Sequence, residues 1–179
     1  MVMGINLIQP MGNCGADPYM PTSKLTVGAR LLNAGVEVNF HDENITPAEI
    51  SADYVGFNLL GAPYIPEVIN LQDRIRAEYG EKTFLVGGQP LSSPFGLSRD
   101  QVTRLFGKST YNGNDDSILC RVLGIDPRAL ALPEQTSLIP AYEKLDDEVM
   151  KGYISREFPL FVSQGCAYDC FPCGATRSY

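Results

Sequence analysis

The sequence has one histidine, no basic run and no long apolar stretch, and each absence excludes a class of function. Fourteen Lys and Arg stand against 21 Asp and Glu, a net charge of −7. Without a basic cluster to neutralise a row of phosphates, tight nucleic-acid binding by this chain is excluded. No apolar run approaches the roughly 18 residues that span a bilayer. The opening MVMGINLIQP has neither a basic n-region nor a cleavage site, so the expectation is a cytoplasmic protein with no membrane partner. Cysteine is scarce and uneven: there are five, an odd number, and three of them fall within eight positions. That pattern suits metal ligation in a reducing compartment rather than a disulfide framework. Cys14 and Cys120 read as ordinary buried thiols.

Two nucleotide-related signatures are also missing. The loop Gly12-Asn13-Cys14-Gly15 is not Gly-x-Gly-x-x-Gly, and the helix after it starts too late for a dinucleotide site. The third strand ends in Asn58-Leu59 with no acceptor aspartate, which removes a phosphorelay receiver.

What is present is an alternation of short β-rich apolar runs with helical patterns, the signature of a parallel sheet covered on both faces. At 179 residues and 44% hydrophobic content the chain has material for one ordinary core. Strands are predicted at 4–9, 36–40, 54–59, 83–86 and 109–111. Between them, helices are predicted at 23–33, 66–79 and 115–123, closed by Gly35, Gly80 and Gly124. Two capping boxes predict further helix starts: Thr46-Pro47-Ala48-Glu49, and Ser98 with Gln101 ahead of Val102, Leu105 and Phe106. On the first helix, Leu25, Gly28, Ala29 and Leu32 share a face, and Gly28 permits close packing. The expected fold is an α/β, flavodoxin-like (Rossmann-like) five-stranded parallel sheet of order 2-1-3-4-5, occupying residues 1–124.

From 125 to 157 periodicity fails, and Pro127, Pro133 and Pro140 with the charged patch at 143–151 suggest a linker over the surface. A new strand, Leu160-Phe161-Val162-Ser163, then runs directly into Gly165 and the cysteines. It has no partner strands, so residues 158–179 read as the opening of a second domain.

Cys166, Cys170 and Cys173 are spaced Cys-x3-Cys-x2-Cys. On an irregular loop, three convergent thiolates can ligate three irons of a cubane and leave the fourth open. An open iron can chelate the amino and carboxylate groups of a ligand and pass it one electron. A structural zinc site needs a fourth donor, and Cys14, Cys120 and His41 are distant in sequence. Cys170-Phe171-Pro172-Cys173 also reads as a dithiol motif, though that chemistry wants a following helix to lower the first thiol's pKa. His41, beside Asp42 and Glu43, reads as a solvated strand-end residue.

The loops after strands one, three and four, centred on 11–19, 61–64 and 87–93, should converge on one sheet edge as a ligand crevice. Asn13, Gly61, Gly87, Gly88, Gln89 and Ser92 are the candidate cofactor-binding residues. The glycines permit close approach to a flat ligand, and Ser92 or Ser93 offers a hydrogen bond to a nucleotide tail. The same glycines would equally serve only to terminate strands.

The stretch 158–177, FPLFVSQGCAYDCFPCGATR, resembles the first barrel strand and cluster loop of radical S-adenosylmethionine (SAM) enzymes. Upstream, the β/α repeats, the Gly87-Gly88-Gln89-Pro90 turn and the run Tyr-Asn-Gly-Asn-Asp at 111–115 resemble the cobalamin-binding-type domain that precedes the barrel in one large class of them. The resemblance implies a [4Fe-4S] cluster on Cys166, Cys170 and Cys173 and reductive cleavage of SAM to a 5′-deoxyadenosyl radical. It also implies, in many members, methyl transfer through cobalamin. A one-electron reductant such as a flavodoxin or ferredoxin would be the protein partner.

The sequence departs from the family pattern in three places. The aromatic that packs on adenine usually precedes the third cysteine; here Pro172 stands there and the aromatic is Phe171. An Asp-x-His-x-x-Gly cobalt-ligand motif is absent from 9–21. The sequence also stops six residues after Cys173, short of the barrel strands. The expectation is therefore the N-terminal part of a radical SAM protein, which a partner chain or further segment must complete before turnover. The alternative is a truncated or split-gene module that binds cobalamin or docks onto a partner.

Overall fold

The computed structural model describes residues 3–12, 21–59, 61–88, 97–106, 116–132 and 135–153. Four strands form one sheet: β1 (Gly4–Gln9), β2 (Glu37–Asp42), β3 (Tyr54–Leu59) and β4 (Thr83–Gly88). Their order is β2-β1-β3-β4 and every pairing is parallel. This is the predicted order as far as the described residues reach. The fifth strand predicted at 109–111, and the whole cysteine segment, lie outside them.

A parallel sheet has to be covered on both faces, and alternate strand residues supply two cores. On one face Ile5, Leu7, Val38, Phe40 and Leu85 pack against Leu25, Ala29 and Leu31 of α1 (Thr22–Asn33). On the other, Ile8, Val55, Phe57, Phe84 and Val86 meet Val68, Leu71 and Ile75 of α2 (Ile65–Tyr79). Each such side chain, taken fully out of water, contributes about 1.5–3 kcal/mol. α1 approaches the sheet closely because Gly28 has no side chain: a Cβ there would lie 2.2 Å from the Phe40 ring.

Helix boundaries follow local chemistry. Pro66 occupies the first turn of α2, and Gly80 follows its last residue with φ of 76°. α3 (Arg99–Phe106) begins at the predicted capping box. The Ser98 amide donates to Gln101 Oε1 at 2.8 Å, and the Gln101 amide donates to Ser98 Oγ at 3.2 Å. α4 (Asp116–Leu123) stops at Gly124, φ 60°.

Three expectations are corrected. No helix forms at the Thr46 capping box. The Asp42 carbonyl instead accepts from the Ile45 and Thr46 amides, and the Ala48 amide donates to Glu43 Oε1 at 2.8 Å. Ala48 and Ile50 then enter the α2-side core, so a side-chain contact from outside the motif overrides the local signal.

Second, the segment after Gly124 does more than lie over the surface. It forms a 3-10 turn (Pro127–Ala129), α5 (Ile139–Tyr142) and α6 (Asp147–Gly152). Leu130, Ala141, Leu145, Val149 and Tyr153 are all buried in the α1-side core. α5 lies against α1, which explains why Leu31, and not only the predicted face, is buried. Third, several buried stripes are rotated from the predicted ones. Leu119, Cys120 and Leu123 are the buried residues of α4, with Ile118 and Val122 on the flanks, while Tyr79 and Leu105 are exposed.

Candidate functional site

The carboxyl ends of the strands are polar. Gln9, Asp42 and Asn58 sit at or next to the last position of β1, β2 and β3. Two hydrogen-bonded groups result. In the first, Asn58 Nδ2 donates to Gln9 Oε1 at 2.8 Å, and Ser23 Oγ, from the first turn of α1, donates to Asn58 Oδ1 at 3.3 Å.

The second centres on Asp42, which is wholly buried. Its Oδ1 accepts from the Asn44 amide at 3.0 Å and from Asn44 Nδ2 at 2.8 Å. Its Oδ2 accepts from the Tyr153 hydroxyl at 2.9 Å. Asn44 in turn reaches the loop after β1: its Oδ1 accepts from the Gly12 amide at 2.9 Å and its Nδ2 donates to the Pro10 carbonyl at 3.3 Å. Both oxygens of this buried carboxylate thus have donors, as burial of such a group requires.

Lys24 projects from α1 into the same region and donates from Nζ to the His41 carbonyl at 2.7 Å. Burial lowers its pKa to about 8, and the nearby Asp42 charge offsets part of that fall. Burial and the Asp42 charge, which also accepts its proton, raise the Tyr153 phenol well above its ordinary value. His41 is half-buried, not solvated as expected. Its Nε2 lies 3.3 Å from Asn6 Oδ1, and burial followed by the Lys24 charge lowers its pKa, so the imidazole is neutral at pH 7.

Two of the three loops expected to converge do meet. A Cβ on Gly12, after β1, would lie 3.0 Å from the Tyr64 hydroxyl, on the 3-10 turn after β3 (Ala62–Tyr64). Gly87 and Gly88 close β4 opposite Asn58 and Leu59. For Gly88 the backbone alone explains the residue: φ is 135°, and a Cβ would sit 2.0 Å from the Leu59 carbonyl oxygen. Gly61 differs. Its φ of −172° is open to any residue, and among the described residues a Cβ would meet only Pro63 Cδ, at an ordinary 3.4 Å, so no described contact requires a glycine there.

Asn13, Gln89, Ser92, Phe171, Cys166, Cys170 and Cys173 lie outside the described residues. Among the described residues no group of three His, Cys, Asp or Glu is placed to hold a metal ion. Cys120 is a buried free thiol, as expected, and burial raises its pKa.

On the α2 side of the same edge, Met11, Glu43, Glu67, Asn70, Leu71 and Arg74 line a depression of about 170 Å³. Ligand pockets commonly run roughly 300–1,000 Å³, so this depression is too small for a large cofactor. Its floor is held by Arg74, which donates to Glu43 from both terminal nitrogens at 2.6 and 3.0 Å.

Sequence reasoning located this edge by its loops and glycines. It missed the polar side chains that build it: Gln9, Lys24, Asn44 and Tyr153. The available signal reached only Gln9, a polar residue closing an apolar strand; nothing local marked Lys24, Asn44 or Tyr153.

No helix among the described residues is long and apolar enough to cross a membrane. No protein-family model matches the chain, and neither does any curated protein. Among solved structures, it is similar to the radical S-adenosylmethionine methyltransferase TsrM from Kitasatospora setae, solved with cobalamin and a [4Fe-4S] cluster bound. The TM-score is 0.50 at 20% identity, covering 73% of this chain and 28% of that one. It is also similar, at TM-score 0.46 and 16% identity, to a cobalamin-binding protein from Desulfitobacterium hafniense DCB-2, over 68% of this chain and 59% of that one. The chain thus spans less than a third of the methyltransferase's length, and what the two share is an α/β, Rossmann-like fold.

Proposed function

We propose that this chain is the corrinoid-binding, N-terminal part of a radical SAM protein, with Cys166, Cys170 and Cys173 holding a [4Fe-4S] cluster that cleaves SAM. The observation that carries the reading is a conjunction. A Cys-x3-Cys-x2-Cys segment follows a domain whose fold is similar to part of a methyltransferase structure that contains both cofactors. A cluster with an open iron would supply the electron for SAM cleavage, and a corrinoid would carry the methyl group.

The described residues fit a flat cofactor on the carboxyl edge in one respect: where the loops after β1 and β3 meet, none of them crowds Gly61 closer than ordinary contact. They supply no imidazole ligand from below, because the sole histidine is turned to Asn6 within the sheet layer. The corrinoid would therefore bind without a histidine from this chain, with Asn13, Gln89 and Ser92 as further candidate contacts.

Anaerobic reconstitution with iron and sulfide tests the cluster. The expected result is a cluster whose absorbance or EPR spectrum shifts on adding SAM. Iron uptake that is absent, or unchanged in the triple Cys→Ala variant, rejects it. Retention of hydroxocobalamin, followed by absorbance, tests the corrinoid separately. A second reading keeps the fold likeness and drops the cluster: a corrinoid-holding or docking module without catalysis of its own. It predicts corrinoid uptake with no cluster.

A further inference from the structure

The Asp42 group joins two parts of the chain that are far apart in sequence. Through Asn44, the carboxylate fixes the Gly12 amide and the Pro10 carbonyl on the loop after β1. Through Oδ2 it holds Tyr153, 111 positions away. Tyr153 is itself 2% exposed, and it is the residue from which the sequence continues toward Cys166. Each bond has few substitutes. Asn44 spends both ends of its amide on Asp42 and the β1 loop, and Tyr153 has one hydroxyl.

We infer that Asp42 is a positioning residue for the carboxyl edge: it locks the β1 loop and the chain at Tyr153 into one geometry. A corrinoid-class ligand on that edge and the order of the chain at Tyr153 are thereby coupled. Asp42 touches no ligand itself and acts through Asn44 and Tyr153. The ligand half of this inference rests on the corrinoid reading above; the coupling itself rests only on the hydrogen bonds.

Tyr153→Phe removes the hydroxyl and keeps the buried ring, so the fold is retained. The full chain, Tyr153→Phe, Asn44→Ala and the double variant are compared by amide hydrogen exchange and by titration with hydroxocobalamin. In Tyr153→Phe, exchange at Gly12 rises about tenfold, the scale of one lost bond to a charged acceptor, while exchange at Val55 and Val86 is unchanged. Each single variant weakens hydroxocobalamin binding by about tenfold, and the double is no weaker than the weaker single, because both cut one chain of contacts. Unchanged exchange at Gly12 in Tyr153→Phe overturns the coupling. So does an equal rise at Gly12, Val55 and Val86, which marks general loosening. If the wild-type chain takes up no hydroxocobalamin, the corrinoid reading falls, and the exchange measurement alone decides the coupling.

Discussion

Arg30 grips Asp116 with both terminal nitrogens, at 2.5 and 3.1 Å, while its Nε donates to the Ala131 carbonyl at 2.5 Å. One guanidinium therefore ties α1 to α4 and to the segment after Gly124. Arg30 is 3% exposed, so removing it takes a buried guanidinium away from the Ala131 carbonyl and the Asp116 carboxylate. Arg30→Ala is expected to cost about 3 kcal/mol, at the lower end for a broken buried pair because Asp116 is 35% exposed. Urea denaturation checks it; a loss within about 0.5 kcal/mol, as for an ordinary surface residue, would show that the grip contributes nothing.

Two glycines should respond to substitution in different ways. Gly28→Ala drives a methyl into the Phe40 ring and is expected to cost about 1–3 kcal/mol, which Phe40→Leu should recover in part. Gly88→Ala meets a carbonyl oxygen at 2.0 Å and a positive φ, so no side-chain change should recover it. Thermal melts of the two singles and the Gly28→Ala/Phe40→Leu double test the contrast. A Gly28→Ala/Phe40→Leu double that melts no higher than Gly28→Ala would refute it.

Lys24 makes stability depend on alkaline pH. Its folded pKa is about 8 against 10.5 when free, so between those values the unfolded chain binds more protons and stability rises with pH. The full gain is on the order of 3 kcal/mol. Tyr153 acts oppositely: its pKa is raised on folding, so above pH 10, the free value, the unfolded phenol loses a proton that the folded one keeps, and stability falls. Stability should therefore peak just above pH 10, where the remaining Lys24 rise and the Tyr153 fall cancel. Lys24→Met should abolish the rise while leaving the fall; a rise that persists in this variant would assign it to another group.

If the chain holds a corrinoid, His41 is not its ligand. His41→Ala should leave the absorbance of bound hydroxocobalamin and the EPR spectrum of the reduced cob(II) form unchanged. A changed cob(II) spectrum would place the imidazole on cobalt and contradict its pairing with Asn6.

The first four strands, their order and the capping box at Ser98 were legible because they rest on neighbours in sequence: alternation, turn glycines, and a serine three residues before a glutamine. The Thr46 box carried the same signal and failed, because Glu43 captured the Ala48 amide and hydrophobic residues after it had a core to enter. The role of 125–153 was hidden for a related reason. Its buried residues, Leu130, Ala141, Leu145, Val149 and Tyr153, follow no single period, since two short helices and a turn present them in succession to the α1-side core. In the candidate site, glycines and loops gave the location. The buried partners of Asp42 were illegible because Asn44 and Tyr153 look like surface residues until the fold brings them together.

The tie between Asp42 and Tyr153 also bears on how the chain acquires its shape during synthesis. Arg30 finds Ala131 after 101 residues and Asp42 finds Tyr153 after 111. Contacts so distant require the closure of long loops before they return any stabilisation, and they slow folding. Until the segment after Gly124 has left the ribosome, Arg30 lacks the Ala131 carbonyl and the α1-side core lacks Leu130, Ala141, Leu145, Val149 and Tyr153. The N-terminal half must therefore wait for the segment after Gly124, as a partly ordered species of the kind that chaperones attend.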